Sequence, residues 1–356
     1  MDRGIPDGER VGVDPSRRLN EVLAAFVAHD PSNLSLSEDV RYTENGQVLQ
    51  PGDGLWGTLT DYTGAPHDRR GQPDGVTTPA YRIDFVDSAR HEWVYFGATL
   101  ETQTPGMLAL RVKTEGHRIV EIEAVCVREE KPGERGGTMT LFQPTLLTPF
   151  EAGAFAGVDP AFLADSEPTP QGSRDALAAV VADYFLAIEK NDSRRVALAA
   201  NCRRRDNGMP TTGNATAPPL DPKVPAYRPF ALECGAQIDS GFFKRISRVR
   251  ACRHLAVDPR RGLVLSIALF DQPGTVKSIE VSGIGPVALP TGIKADDLLQ
   301  TEGAAQFYVK RYEPNMAIPM TELTVQLTKI EGGRITRIES VARGSPFGMT
   351  DGWTQQ

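Results

Sequence analysis

One short turn is written twice in this chain, and the duplication limits what the chain can fold into. Tyr42-Thr43-Glu44-Asn45-Gly46 returns as Arg204-Arg205-Asp206-Asn207-Gly208. Each copy follows an amphipathic helical run, Phe26 preceding Glu44 by 18 residues and Phe185 preceding Asp206 by 21. A second pair of matches lies near the ends of the two segments. Leu108 to Glu123 and Leu323 to Glu339 share a strand-like run, a Glu-Gly turn, Arg-Ile, two residues and Ile-Glu. Two matches at corresponding places predict one unit built twice, from a helix first and then a curved antiparallel sheet. The helix would close one face of the sheet, which is an α+β layer architecture.

The 356 residues allow two to three domains, each large enough for its own core. A net charge of −7 argues against a nucleic-acid partner, because no broad cationic face is available. The densest basic run, Arg203 to Arg205, is short and ends at Asp206. No run reaches the ~20 apolar residues of a membrane span. The first residues are polar and charged, so no signal peptide is expected and the cytoplasm is the expected location. Cys126, Cys202, Cys234 and Cys252 fit no metal-ligand spacing. Reduced buried thiols are the expectation, with a Cys202–Cys234 bridge as the alternative in an oxidising compartment.

In chain order, residues 1–16 read as a flexible leader. Leu19, Val22, Leu23, Phe26 and Val27 then recur at helical spacing, with Ser16 as a candidate cap. His29-Asp30-Pro31 stops that helix, since proline disfavours helical geometry in the residue before it. Strands are predicted over 81–85, 93–100, 107–112 and 119–127. Residues 129–172 read as a linker packed on the surface, because their leucines and phenylalanines are too apolar to leave in water. A second helix is predicted from Ser173, with Leu177, Val180, Val181, Tyr184, Phe185 and Ile188 as its stripe. Strands resume around 243–249, 255–257, 263–270, 323–327 and 334–341.

Several segments carry a family resemblance. They are Val40 to Gly46 and Gly54-Leu55-Trp56 in the first half. In the second they are Cys202 to Gly208, Val257 to Val264, Phe270 to Gly274 and Pro346 to Trp353. These residues resemble the SnoaL-like branch of the nuclear-transport-factor-2-like superfamily, in tandem over roughly 17–128 and 173–353. The second-half motif of that family usually carries Glu where this chain has Asp206. The resemblance implies two cone-shaped modules, residues 17–128 and 173–356, each a bent antiparallel sheet closed by N-terminal helices around a pocket. It also implies cofactor-free chemistry or plain binding, and a fold alone does not choose between them.

A cofactor-free pocket needs a tuned acid or base, a stabiliser of developing negative charge, and apolar walls. In the first half His91 or Glu44 is the candidate base, with Tyr62 or Arg82 facing oxyanion character and Trp56 and Tyr95 as wall. Each has a structural alternative. Glu44 can cap a turn, since Asn-Gly is a preferred turn pair. Arg82 can pair with Asp84 on the same strand face. In the second half Asp206 is the catalytic candidate, with Arg205, Asp239 and Arg250 as substrate-binding candidates and Asp239 equally able to cap a helix. Phe242 and Phe243 read as core before ligand contacts. The expected function is a cofactor-independent lyase or isomerase, of dehydratase or aldol-cleavage type. Its substrate would be a small hydroxylated molecule, aromatic or polyketide-like compounds included. The alternative is a non-catalytic small-molecule-binding or scaffold protein. No metal, cofactor, nucleic acid or membrane is expected to take part, and a homodimer is allowed.

Overall fold

The computed structural model describes residues 15–64, 80–102, 104–128, 157–167, 172–213, 225–289, 298–300, 307–309 and 318–354. Helix α1 (Pro15–Val27) is followed by β1 (Leu36–Glu44), β2 (Gln47–Leu49), β3 (Leu59–Asp61), β4 (Arg82–Asp87), β5 (Glu92–Glu101), β6 (Thr104–Glu115) and β7 (Arg118–Arg128). Helix α2 (Arg174–Lys190) then leads to β8 (Leu198–Asp206), β9 (Met209–Pro210), α3 (Cys234–Asp239), β10 (Arg248–Asp258) and β11 (Leu263–Gln272). Two short pairs follow, β12 (Ser278–Val281) with β13 (Gly285–Ala288) and β14 (Leu298–Gln300) with β15 (Phe307–Val309). The described chain closes with β16 (Met320–Glu331) and β17 (Arg334–Pro346).

The strands form two large sheets, strongly curled. The first runs β2-β1-β7-β6-β5-β3 with β4 also on β5, and the second runs β10-β11-β16-β17-β8-β9. Read from the opposite edge, the second sheet repeats the first: a two-strand hairpin, a long hairpin, then a further long strand. The expectation of purely antiparallel sheets is corrected at one place in each, because β1 pairs with β7 and β8 with β17 in parallel. Parallel neighbours need a long crossover, and here the intervening strands supply it. The period-two pattern of a strand carries no information on direction, so the sequence could not reveal this.

The duplicated turn makes that parallel junction. Asn45 and Asn207 both take left-handed backbone, at φ 53° and 50°. Asn45 accepts from the Cys126 amide at 2.9 Å, and Asn207 accepts from the Ala342 amide at 2.9 Å. The side chain continues the ladder where the strand turns away. The following Gly46, at φ +77°, lies so close to the chain end that a Cβ would sit 2.8 Å from the Thr350 carbonyl.

The sheets pack face to face through one core. Ile83, Phe85, Val94 and Phe96 from the first meet Leu265, Ile267, Leu323 and Val325 from the second. The helices cover the other faces. Leu19, Val22, Leu23 and Phe26 of α1 are at most 1% exposed, as their spacing predicted. Ser173 caps α2 by accepting from the Ala176 amide, and Leu177, Val181, Tyr184, Phe185 and Ile188 are its buried stripe.

Of the segment expected to pack as a linker, residues 157–167 and 172 are described. Phe162 is fully buried in the intersheet core. Beside it, the Lys329 ammonium donates to the carbonyls of Ala164 and Arg261 at 2.8 and 2.7 Å. Residues 1–14 of the expected leader lie outside the described residues, as does 129–156 of the linker. At the other end, Trp353 donates to Thr43 Oγ1 at 2.9 Å, and Arg253 bridges Asp351 and Glu123 at 2.7 and 2.5 Å. The C-terminal run therefore folds back over the first copy of the motif. The strand predicted over 243–249 begins later, at Arg248, because Phe242–Arg245 forms a 3-10 turn after Gly241. Among the described residues no helix is long and apolar enough to cross a membrane.

Candidate functional site

The concave side of the first sheet is filled. Phe26 stacks on Trp56 with ring centroids 3.9 Å apart, and Trp56, Tyr42 and Tyr95 are buried to within 1%. The Tyr95 hydroxyl sits against the carbonyls of Ala98 and Tyr62 at 2.7 and 3.1 Å, and burial holds its pKa above the ordinary value. Glu44 is enclosed by donors: the Leu55 amide at 2.7 Å, the Tyr42 hydroxyl at 3.0 Å and Arg128 at 3.1 Å. Gly54 allows this approach, since a Cβ there would lie 2.2 Å from a Glu44 carboxylate oxygen. Glu44 thus ties the strand to the 3-10 turn over 54–57.

The other first-half candidates do not converge on Glu44. His91 is an exposed turn residue at φ 55° between β4 and β5. Its neighbour Glu92 is buried and paired with Arg111 at 3.3 Å. Arg82 grips Asp84 at 2.6 Å and Asn20 at 2.8 Å, with Tyr62 and Tyr95 rings 5.7 and 5.3 Å from its guanidinium carbon. Tyr62 and Arg82 are neighbours, therefore, in a half-buried cluster on the α1 side.

The second sheet differs where it corresponds. Two residues before the motif acid stands Tyr42 in the first copy and Arg204 in the second. Both donate to that acid: the Tyr42 hydroxyl to Glu44, and Arg204 Nε to Asp206 at 3.1 Å. Behind Asp206 the core opens into a cavity of about 50 Å³. That is room for a few waters or a small organic molecule. Arg204, Asp206, Thr211, Arg245, Glu322, Thr324, Gln326 and Ser340 supply its polar wall, and Tyr184, Phe230, Phe242, Phe243 and Phe270 its aromatic one.

Three elements position these groups. β16 alternates along its length, so Leu323, Val325 and Leu327 enter the intersheet core. Glu322, Thr324 and Gln326 consequently face the cavity. The 3-10 turn after Gly241 swings Phe242, Phe243 and Arg245 inward, and β8 brings Arg204 and Asp206. Arg204 is satisfied on all sides, by Asp206, by Thr211 at 3.0 Å, by Tyr184 at 3.3 Å and by Gln237 at 2.5 Å. Burial works against its charge, but Asp206 and Tyr184 more than offset this, and its pKa stands above the ordinary value. Asp206 accepts in addition from Thr211 Oγ1 at 2.6 Å.

Arg245 and Glu322 are held differently. Arg245 is 7% exposed and stacks over Phe242, 4.2 Å from the ring centroid. Among the described residues it makes one hydrogen bond, Nη1 to the Phe242 carbonyl at 2.8 Å, while its buried Nε has no acceptor. Burial lowers its pKa to about 10, against the pull of Glu322. Glu322 lines the cavity and is partly exposed. Burial raises its pKa, Arg245 opposes that rise in part, and Asp206 adds to it. Among the described residues its one hydrogen bond, accepted from Thr324 Oγ1, is long at 3.3 Å. The cavity therefore holds a satisfied Arg204–Asp206 pair beside a carboxyl that keeps accessible surface and a guanidinium whose buried Nε lacks an acceptor. Such a pairing can exchange a proton and hold an anion.

Asp206, the catalytic candidate of the second half, lines this cavity, and the other second-half candidates lie elsewhere. Arg205 turns toward the sheet junction, 3.7 Å from Glu339. Asp239 is exposed and accepts from the Ser193 amide and hydroxyl, both at 2.7 Å. Arg250 joins Arg248 on Asp271, at 2.8 and 2.9 Å. Sequence reasoning missed Arg245 and Glu322. The signal for Glu322 was present in the alternation of β16, but a polar strand face ordinarily reads as the solvent side. Among the described residues no three His, Cys, Asp or Glu side chains gather as a metal site would need.

Residues 170–342 match a family described as "Domain of unknown function (DUF8021)". The matched span covers a little under half of the chain and takes in α2, nearly all of the second sheet and the cavity. No curated protein matches the chain.

Proposed function

We propose that the chain is a cofactor-independent lyase or isomerase working by acid–base chemistry in the cavity of the second sheet. The supporting observation is Glu322, a cavity-lining carboxyl with a raised pKa, which shares the cavity with Arg245, whose buried Nε lacks an acceptor. A carboxylate brought toward neutral pKa can both take and return a proton. For a small β-hydroxy carbonyl compound, Glu322 takes the proton from the carbon next to the carbonyl. The C–H electron pair moves to the carbonyl oxygen, where Arg245 N–H groups meet the developing charge. Collapse of that enolate expels the hydroxyl, which leaves as water with the proton Glu322 carries. Thr324, Gln326 and Ser340 are placed to orient hydroxyl groups. The cavity's size favours a small substrate over an aromatic or polyketide-like one. Arg204 and Asp206 satisfy each other, whereas the Glu322 carboxyl makes no ion pair among the described residues and keeps accessible surface, which favours proton transfer over binding alone.

The same reading extends to the fold. Two sheets of matching strand order, each with a helix ahead of it and the Asn of the repeated turn at a parallel junction, support two tandem cone-shaped modules of the SnoaL-like kind. In the first the cone is filled by Trp56, Phe26 and Tyr95, so it acts as a structural half. The test is proton exchange. Small β-hydroxy carbonyl compounds incubated with the protein in deuterium oxide should take up deuterium next to the carbonyl. Glu322→Gln should lower the rate by at least ~100-fold. Equal rates in the variant and the native protein, or no exchange across the panel, would remove the reading.

A further inference from the structure

The charge balance of the cavity says more about what enters it. Arg204 and Asp206 pair with each other at 3.1 Å, and among the described residues no ion pair joins Glu322 to Arg245. Arg245 is left as a cation with no counter-ion within ion-pair distance among the described residues, and with a buried Nε–H that finds no acceptor. A buried unpaired cation destabilises the protein around it, and an anion between its N–H groups removes that penalty. The aromatic faces of Phe242 and Phe243 hold the guanidinium plane in place, 4.2 and 5.4 Å from the ring centroids. The donors are thus presented in a fixed orientation, which suits a planar two-oxygen acceptor.

We infer that the second-sheet cavity binds a small organic monocarboxylate, with the carboxylate on Arg245 and the rest of the molecule against Thr324, Gln326 and Ser340. The inference rests on the proposed catalytic cavity and names the class of molecule it takes. A single free guanidinium matches one negative charge. A phosphate dianion would bring a second charge toward Asp206 and Glu322 with no further cation to meet it. A cavity of about 50 Å³ suits a molecule of two to four carbons rather than a ring system.

The experiment is calorimetric titration of the full chain with sodium acetate, sodium lactate and inorganic phosphate, at one ionic strength set with sodium chloride. Acetate and lactate should bind saturably at one site, lactate the tighter because its hydroxyl meets the polar wall. Arg245→Met should weaken both at least tenfold with the far-ultraviolet circular dichroism unchanged. Arg245→Lys should recover part of the loss, since the charge returns without the fork. Arg194→Ala, on the surface, should leave the affinity as it was. Binding of phosphate more tightly than acetate, or acetate affinity untouched by Arg245→Met, would overturn the assignment. The two readings separate cleanly. Carboxylate binding lost in Arg245→Met without any proton exchange would leave the ligand class standing and remove the chemistry. Exchange on neutral hydroxy ketones with no acetate binding would do the reverse.

Discussion

A guanidinium enclosed with a single acceptor weakens the fold that holds it. Arg245 is such a group, and its lowered pKa of about 10 carries the same information. The folded state holds that proton less well than the unfolded state, so stability rises with pH between about 10 and the ordinary arginine value, and at neutral pH the full penalty applies. Arg245→Met keeps most of the volume and the contact with Phe242 while removing the charge. It should stabilise the ligand-free protein by roughly 1–3 kcal/mol, read as a higher urea midpoint at unchanged slope. Destabilisation by that substitution would mean that Arg245 serves the fold. Glu44 makes the opposite comparison. It stands in the first sheet where Asp206 stands in the second and is surrounded by donors, so the first copy of the motif carries structure where the second borders a cavity.

At the scale of elements, the helices and hairpins were readable and the pairings were not. The start of α2 near Ser173 was visible because a 3.6-residue stripe begins there. The Glu115-Gly116 and Glu331-Gly332 turns were visible for similar local reasons. The parallel pairs β1–β7 and β8–β17 were hidden because strand direction is set by contacts far apart in sequence. The inward turn of Arg245 was hidden because Phe-Phe-Lys-Arg reads as a strand start with an exposed basic end, and only Gly241 at φ 86° allows the 3-10 turn. Of the phenylalanines in the segment expected to pack as a linker, Phe162 lies within the described residues, and it is fully buried between the sheets while its neighbour Leu163 is 55% exposed. Phe162→Ala should cost about 3–5 kcal/mol in chemical denaturation, and Leu163→Ala under about 0.5 kcal/mol. Similar losses at both sites would mean the segment does not anchor the sheets.

For the molecule as a whole, the join between the sheets contains a titrating group that the proposed chemistry does not use. Glu339 of β17 is 2% exposed, and burial raises its pKa to about 7. Arg205 at 3.7 Å and a hydrogen bond from Tyr81 oppose that rise, while Asp159 and Asp206 add to it. Tyr81 precedes β4 of the first sheet, so this carboxyl sits where the two sheets meet. Its folded pKa lies above the unfolded value of about 4.5. Between those values the folded state binds the extra proton. The contribution to stability is complete below about 4.5 and is lost as pH rises through 7. The span corresponds to roughly 3 kcal/mol or slightly more. Other carboxylates act in the opposite sense, since Asp271 and Asp351 have lowered pKa values. The stability curve of the native protein alone therefore does not isolate Glu339. The difference from Glu339→Gln does, because the variant keeps the volume and a neutral head while every other group is shared. The two proteins should be nearly equal in urea denaturation at pH 5. By pH 8 the variant should be more stable by about 2 kcal/mol, because the native protein then holds an ionised carboxylate in a nearly dry join with only half-buried Arg205 to pair it. A difference that stays constant from pH 5 to pH 8 would show that Glu339 titrates alike in the folded and unfolded chains, and that the join between the sheets does not respond to pH through this residue.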